Sequence, residues 1–193
     1  MTTSVVPLAA YNIASQLLTC AADQVAEAWA ETPDAIPQRQ CVVWGAIAWD
    51  DCECGQLVVS IADQYPSNSF PSPATAPTPQ GVTQGKCGAR LWVIRYVVSI
   101  LRCMPIQDDQ GRPPSCDALD AAAQSAAIDS WAVRTGIGCC LGSLKTTRLE
   151  NGSTEIEDYQ ITGQLSTGPQ GMCGGSDLGV LVAIRNCFCP PGS

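Results

Sequence analysis

The stretch Cys41-Val-Val-Trp-Gly-Ala-Ile-Ala-Trp-Asp-Asp-Cys-Glu-Cys-Gly-Gln-Leu-Val-Val-Ser-Ile61 decides the predicted fold, because it joins two β-type runs through a turn. Residues 41–49 and 55–61 are rich in Val, Ile and Trp, and the first run is apolar on both faces. Residues 50–55 supply the Asp and Gly that chain reversals need. The pattern predicts a β-hairpin whose turn carries acids and cysteines.

The composition disfavours two broad classes of function. The 193 residues include no His, so the chain lacks the commonest general base and metal ligand, and a Ser-His-Asp or Cys-His nucleophile is impossible within it. With 18 Asp and Glu against 10 Lys and Arg, the net charge of −8 argues against a groove that grips phosphates. We therefore expect neither an enzyme nor a nucleic-acid binder, and no cofactor, metal or catalytic site.

The length and the hydropathy pattern predict one domain that does not enter a membrane. A chain of 193 residues is long enough to bury a core as a single unit, covering residues 1–193. No run of about 20 apolar residues is present, so no transmembrane helix is expected. The N-terminus lacks the basic region and the cleavage pattern of a signal peptide, which predicts synthesis in a cytoplasm.

The first half of the chain contains one clear helix and one long proline-rich stretch. Apolar residues recur at the helical period from Leu8 to Ala30, and Pro33 and Pro37 follow them. Residues 65–86 are rich in Pro and Ser and predict a loop longer than compact domains usually contain. Two interpretations stay open: a surface loop, or an arm that orders against a neighbouring subunit with Tyr65 and Phe70 as anchors.

Residues 91–103 form the longest predicted strand, and its two faces differ. Alternate residues from Trp92 to Ile100 make an unbroken apolar face for the core. The other face mixes apolar residues with Arg95 and Ser99, and a half-apolar outward face often meets another subunit. The candidate subunit-interface residues are Tyr65, Phe70, Leu91, Val93, Arg95 and Val97.

The remaining elements complete an α+β prediction. A second helix is expected from about Cys116 to Thr135, capped by Ser115 or Asp117 and ended by the glycines that follow. Two strands, 155–165 and 178–189, are joined by the glycine-rich residues 166–177, and Tyr159, Ile161 and Leu165 are expected to point inward. Short connections between neighbouring strands predict a mostly antiparallel sheet with two main helices packed on one face.

Twelve cysteines without a signal peptide suit a particle that leaves the cell, such as a virion. The spacings are shorter than a zinc knuckle and no C-x-x-C occurs, which disfavours zinc. A bridge from the end of the long strand to the start of the second helix would close a loop. Burial as free apolar thiols stays open as the alternative. The candidate disulfide cysteines are Cys103, Cys116, Cys52, Cys54, Cys187 and Cys189.

Asp50, Asp51 and Glu53 place three acids within four positions of the predicted turn. The calcium-loop pattern is absent, so a hard-cation site or a paired acid and base is the less favoured interpretation. We expect these acids to face solvent or, if the protein forms a ring, to line its bore. An acidic bore would repel DNA and let it slide.

Several short motifs, spread over most of the chain, resemble neck or tail-completion proteins of long-tailed bacteriophages that infect actinobacteria. They are Val42-Val-Trp-Gly with Ala48-Trp-Asp-Asp-Cys-Glu-Cys-Gly-Gln-Leu57, Tyr65-Pro with Phe70-Pro71, Arg102-Cys-Met-Pro105, Cys139-Cys-Leu141 and Gly168-Pro-Gln-Gly-Met-Cys-Gly174. The element order is also similar to that of tail terminators, which have an α+β fold and assemble as hexameric rings.

The resemblance implies a structural virion protein of the head-to-tail connector. It would form a hexameric ring that caps the tail tube and stops its polymerisation. Its partners would be copies of itself, the tail tube protein and the head-side connector proteins, with DNA passing through the lumen without specific binding. Three alternatives stay open: a head-side stopper or adaptor ring, a secreted cysteine-rich binding module, and, least favoured, an enzyme that uses the Asp50 cluster.

Overall fold

The protein folds as two helices against one five-stranded sheet, in the part of the chain that the structure describes. The structure is a computed structural model and describes residues 6–32, 36–46, 55–73, 91–147, 155–170 and 172–185. The predicted α+β class, with a mostly antiparallel sheet and two main helices, is confirmed. The elements are α1 (Val6–Ala28), β1 (Arg39–Trp44), β2 (Gln56–Ser67), β3 (Leu91–Cys103), α2 (Cys116–Thr146), β4 (Asp158–Gln170) and β5 (Cys173–Arg185).

The sheet has the strand order β1-β2-β3-β5-β4, and its first pair corrects a prediction. β1 and β2 run parallel, with Arg39 opposite Gln56 and Trp44 opposite Ile61, so the hairpin predicted around Asp50 is wrong. A hairpin would make the two strands antiparallel, whereas β2 begins at Gln56 beside Arg39, where β1 also begins. The other three pairs are antiparallel.

α1 and α2 lie antiparallel on one face of the sheet and share its core. Moving along the chain from Cys20 to Trp29, the partner on α2 moves backward from Cys140 to Asp129, so the two helices run in opposite directions. The predicted apolar stripe of α1 is confirmed, because Ala10, Ile13, Ala14, Leu17, Ala21 and Val25 are all buried. Tyr96 reaches up from β3 and donates a hydrogen bond to the Ala10 carbonyl (2.9 Å), and burial raises the pKa of this phenol.

β3 forms over residues 91–103 as predicted, with its core face toward the helices. Ile94, Tyr96, Val98 and Ile100 are at most 1% exposed, and Trp92 packs against the same core. The predicted helix-side face is therefore confirmed. The strand lies at the centre of the sheet, with β2 and β5 on either side. The strict alternation of apolar residues was enough to predict it.

α2 begins at the predicted N-cap and runs beyond its predicted end. Ser115 accepts a hydrogen bond from the Ala118 amide (3.2 Å), but the helix continues through Gly136 and Gly138 to Thr146. A Cβ at Gly136 would lie 2.6 Å from the Cys20 carbonyl oxygen. Glycine is required there by the close approach of the two helices, so it does not mark the helix end.

β4 and β5 form a hairpin that includes most of the predicted glycine-rich linker, residues 166–177. Its register shifts between Ile161 and Gly163, and such a bulge exchanges the faces of the residues that follow. Tyr159 and Ile161 pack against the core as predicted, whereas Leu165 is 74% exposed and the prediction that it points inward is wrong. The Gln164 side chain lies on the helix side of the sheet instead, and its Nε2 donates a hydrogen bond to the Ser130 carbonyl oxygen (2.9 Å).

Candidate subunit interface

The face of the sheet opposite the helices, here called the outer face, carries the predicted interface residues of β3. Val93 is fully buried, Leu91 and Val97 are half-buried, and Arg95 is exposed. Ser99 and Leu101, further along the same face, are each 1% exposed. The outer face is thus accessible near Arg95 and Val97 and buried on either side of them, at Val93 and at Ser99 and Leu101.

Val93 is buried by its own chain, which corrects the prediction that it contacts a neighbouring subunit. It forms a small second core with Leu181 and Ala183, and Tyr65 and Phe70 pack against that core. The two aromatic residues predicted to anchor an arm on another subunit therefore contact the outer face of their own sheet. Residues 74–86 of the predicted arm lie outside the described residues.

Residues 65–73 are held on the outer face by a compact turn. The Ser72 amide donates to the Ser69 carbonyl (2.9 Å) across a cis Phe70–Pro71 peptide bond, as in a type VI turn. The Tyr65 hydroxyl donates to the Pro71 carbonyl (2.7 Å), and the Ser67 hydroxyl donates to the Ser72 carbonyl (2.6 Å). These bonds fix Phe70 over the second core.

A register shift in β2 explains why Tyr65 lies on this side. The ladder with β3 is interrupted between Ile61 and Asp63, so Ile61 faces the helices while Tyr65 lies opposite Val93 on the outer face. Burial raises the pKa of the Tyr65 phenol; Arg95 opposes this shift and Asp63 adds to it. The sequence predicted a loop from residue 65, but β2 continues to Ser67. Pro66 is tolerated because β1 has already ended beside it.

The accessible part of the outer face surrounds Val97. Val97 lies opposite Ser60 on β2 and Gly179 on β5, and Gly179 lies opposite Gly163 on β4. A Cβ at Gly179 would collide with the Thr162 hydroxyl, so this position stays without a side chain. We call the accessible area the outer window, and its residues are Arg95, Val97, Gln160, Gly163, Leu165 and Gly179.

The predicted acids Asp50, Asp51 and Glu53 lie outside the described residues. On the outer face, the Ser99 hydroxyl donates to the Asp177 carboxylate. No three Asp, Glu or Cys side chains in the described ranges are placed to hold a metal ion.

The cysteines pair differently from the prediction. Cys20 and Cys140 form a disulfide between α1 and α2, with their Cα atoms 6.0 Å apart. Cys103 and Cys116 are both exposed free thiols, so the proposed bridge between them is not formed. The loop between them extends into solvent at Ile106 (50% exposed), and no packing there brings the two thiols together. Cys52, Cys54, Cys187 and Cys189 lie outside the described residues.

A shallow groove runs beside the disulfide. Its volume is about 340 Å³, and its lining combines the disulfide with hydroxyl, amide and apolar side chains: Ser15, Gln16, Thr19, Cys20, Cys140, Ser143 and Leu144. Gln16 Nε2 donates to the Glu155 carboxylate (2.6 Å), which closes one side of the groove. The groove borders the helix pair on the side away from the outer window.

A buried ion pair, which the sequence did not reveal, joins α1, α2 and β3. Asp129 is 1% exposed and receives two hydrogen bonds from Arg102 (2.6 and 2.7 Å) and one from Trp29 Nε1 (2.7 Å). The Arg102 guanidinium also lies 5.4 Å from the centroid of the Trp29 ring. Each carboxylate oxygen thus has a charge-assisted bond, which offsets the cost of burying the charge.

A signal for this site was present in the sequence. Asp129 stands on the buried stripe of α2, at helical spacing from Val133, Gly136 and Cys140, where an apolar residue would be expected. A lone acid on an apolar stripe needs a buried partner, but its identity depends on long-range packing. This site holds the middle of α2 to the end of β3 and to Trp29, just after the end of α1.

Comparison with known proteins adds no family. No protein-family model matches the chain, and no curated protein matches it significantly. Within the part of the chain that the structure describes, neither helix combines the length and apolar character needed to cross a bilayer.

Proposed function

We propose that this protein is a structural virion subunit, a tail terminator that forms a hexameric ring on the tail tube of a long-tailed bacteriophage and joins it to the head-side connector. The proposal combines the motif resemblance with one structural observation. That observation is the outer window, an accessible part-apolar area at the centre of a sheet face on which neither α1 nor α2 packs.

The outer window has the chemistry of a subunit contact. Leu165 is 74% exposed and Val97 is half-buried, while Gly163 has no side chain and open space above it. Arg95 stands at the border and forms no ion pair among the described residues. Such an arrangement, an apolar centre with a charged rim, is typical of protein–protein interfaces.

A closed ring requires this window to meet a different surface of the next subunit. Contacts that generate rings join two unlike patches, and the rotation between subunits must close. Of the predicted interface residues, Leu91, Arg95 and Val97 stay available for this role, whereas Val93 does not. The net charge of −8 supports a lumen through which DNA passes without being held.

The mass of the assembled protein tests the proposal most directly. We expect native mass spectrometry of purified protein, or of protein assembled with tail tubes, to give a six-fold ring. A twelve-membered ring would assign the protein to the head-side adaptors instead. A strictly monomeric protein that also fails to bind tail-tube ends would contradict both assignments.

A pair of variants tests whether the outer window carries the contact. Val97→Asp introduces a charge at the centre of the window and should abolish ring formation while the monomer remains folded by circular dichroism. Thr19→Asp introduces the same charge at an exposed position of α1 on the opposite side, and should leave rings intact. Equal ring yields from the two variants would exclude the outer window as the interface.

A further inference from the structure

The first part of α2 contributes no residue to the buried core. Every buried residue of α2 lies between Asp129 and Leu144, and none lies in residues 116–128. α1 ends at Ala28, and Trp29 contacts α2 at Asp129, so the preceding residues of α2 extend past the end of α1. Residues 116–128 are about 20 Å long at 1.5 Å per residue. We call them the α2 overhang.

One face of the α2 overhang carries an exposed apolar stripe. Leu119, Ala123, Ala127 and Trp131 follow one another at intervals of four residues, which places them along one ridge of the helix. Leu119 is 46% exposed and Trp131 is 63% exposed, while the two alanines between them are also exposed. Large residues thus stand at both ends of the stripe and small residues at its centre.

We propose that two copies of this chain pair through the stripe, with their α2 helices antiparallel about a two-fold axis. A two-fold contact is self-complementary, so each position meets its counterpart across the axis. Centred between Ala123 and Ala127, the pairing lets the backbones approach closely, because alanine adds little bulk. Leu119 of each copy then packs against Trp131 of the other.

The charges of α2 favour this second copy over an unrelated partner. Asp117 and Asp120 are exposed at the N-terminal end of the stripe, and Arg134 is exposed at its other end. None of the three forms an ion pair among the described residues. Antiparallel pairing brings Arg134 of one copy level with residue 116 of the other, beside Asp117 and one turn from Asp120. At each end of the paired helices, the arginine of one copy then lies near the aspartates of the other, whereas parallel pairing would place like charges together.

This contact differs from the one that closes a ring. A cyclic ring joins unlike patches, whereas the α2 stripe joins like patches, so it would pair two free subunits or stack two rings. The pairing does not depend on the proposed function. It would hold equally if the protein formed no ring.

The test is the assembly mass over a range of protein concentrations, measured by sedimentation velocity on the full chain. We expect a species of twice the smallest assembly to form as concentration rises. Ala127→Glu should reduce the mass at the highest concentration two-fold. Ala121→Glu, the same change at an exposed position on the far side of α2, should leave it unchanged. Equal masses for the two variants, or a wild-type mass that does not depend on concentration, would overturn the proposal.

A charge exchange supplies a second readout that folding defects cannot imitate. Asp120→Arg and Arg134→Asp should each shift the half-association concentration upward about ten-fold, and the double variant should recover most of the loss. Failure of the double variant to recover would refute the antiparallel register. The same variant distinguishes two assemblies of twelve subunits. Two stacked six-membered rings should separate into single rings in Ala127→Glu, whereas a twelve-membered ring should keep its mass.

Discussion

The two halves of α2 have the same backbone conformation but very different surroundings. Residues 129–146 hold every buried side chain of the helix, together with the disulfide to α1 and the ion pair to β3. Residues 116–128 hold none of these, and alanine recurs throughout them. Local preference is sufficient for the first half, because alanine is the best helix former. The second half contains three glycines and is helical because tertiary contacts hold it.

This difference predicts that matched substitutions in the two halves have unequal costs. The largest loss of stability should come from removing the disulfide. Replacing Cys20 and Cys140 together by Ala removes a cross-link between positions 120 apart in sequence, and should lower the free energy of unfolding by about 4 kcal/mol. Cys116→Ala, at an exposed thiol of the first half, should change it by less than about 0.5 kcal/mol. Guanidinium unfolding of both variants measures the contrast, and equal midpoints would contradict it.

The second contrast concerns two acids on α2. Asp129→Asn removes the buried carboxylate charge that pairs with the Arg102 guanidinium, whose side chain is 17% exposed, and should cost about 3 kcal/mol. Asp120→Asn, in the exposed half, should cost less than about 0.5 kcal/mol. Urea unfolding at neutral pH would show the difference. A cost below about 1 kcal/mol for Asp129→Asn would mean that the pair contributes no more than a surface ion pair.

The third contrast lies within the buried half and predicts effects of opposite sign. Gly136→Ala inserts a methyl group 2.6 Å from the Cys20 carbonyl oxygen and should destabilise the protein by about 2 kcal/mol. Gly138→Ala meets nothing within 4 Å and should stabilise the helix by up to about 1 kcal/mol. Thermal melting of the two variants separates them. If both were stabilised, the helices would have to lie further apart than the structure places them.

The smallest expected effect is electrostatic and sits at the end of α2. Lys145 Nζ lies 2.7 Å from Asp158 Oδ1, and this hydrogen bond is the main reason why the pKa of Asp158 lies below its ordinary value. Because the folded pKa is lowered, the contribution to stability is present above the unfolded pKa and disappears as the pH falls through the folded one. Both side chains are nearly half exposed, so the effect is small.

The check is the stability difference between wild type and Asp158→Asn as a function of pH. The wild type should be slightly more stable at neutral pH, and the two should converge in acid below the folded pKa of Asp158. A difference that persisted unchanged into acid would show that the variant acts through packing.

The sequence predicted those elements whose pattern is local. β3 alternates apolar residues without interruption, and the α1 stripe follows the helical period, so both were predictable. The direction of β1 relative to β2 was not, because apolar content does not encode whether neighbouring strands run parallel. Gly136 and Gly138 suggested a helix end, since glycine costs about 1 kcal/mol relative to alanine in a helix. Only contact with α1 reveals why Gly136 is there.

The alternation of β3 placed its outward residues on the correct face of the sheet but did not show which of them are accessible. Arg95 and Val97 lie on an accessible face as the alternation of β3 implied, but the same alternation also selected Val93. Its burial depends on Tyr65 and Phe70, which reach the outer face through a register shift in β2 that leaves no mark in the apolar pattern. Leu165 lies on the outer face for the same kind of reason, a register shift between Ile161 and Gly163 of β4. Bulges were thus the main reason why residues were assigned to the wrong side.

The bond between Cys20 and Cys140 has a consequence for proteolysis. Along the chain the two cysteines bracket β1, β2 and β3, as well as the proline-rich residues 65–86. A protease that cuts once anywhere between them leaves both fragments covalently joined. Nicked protein would therefore migrate at full mass on a non-reducing gel and separate into two bands after reduction. The protein would thus stay in one covalent piece after a single cleavage over most of its length.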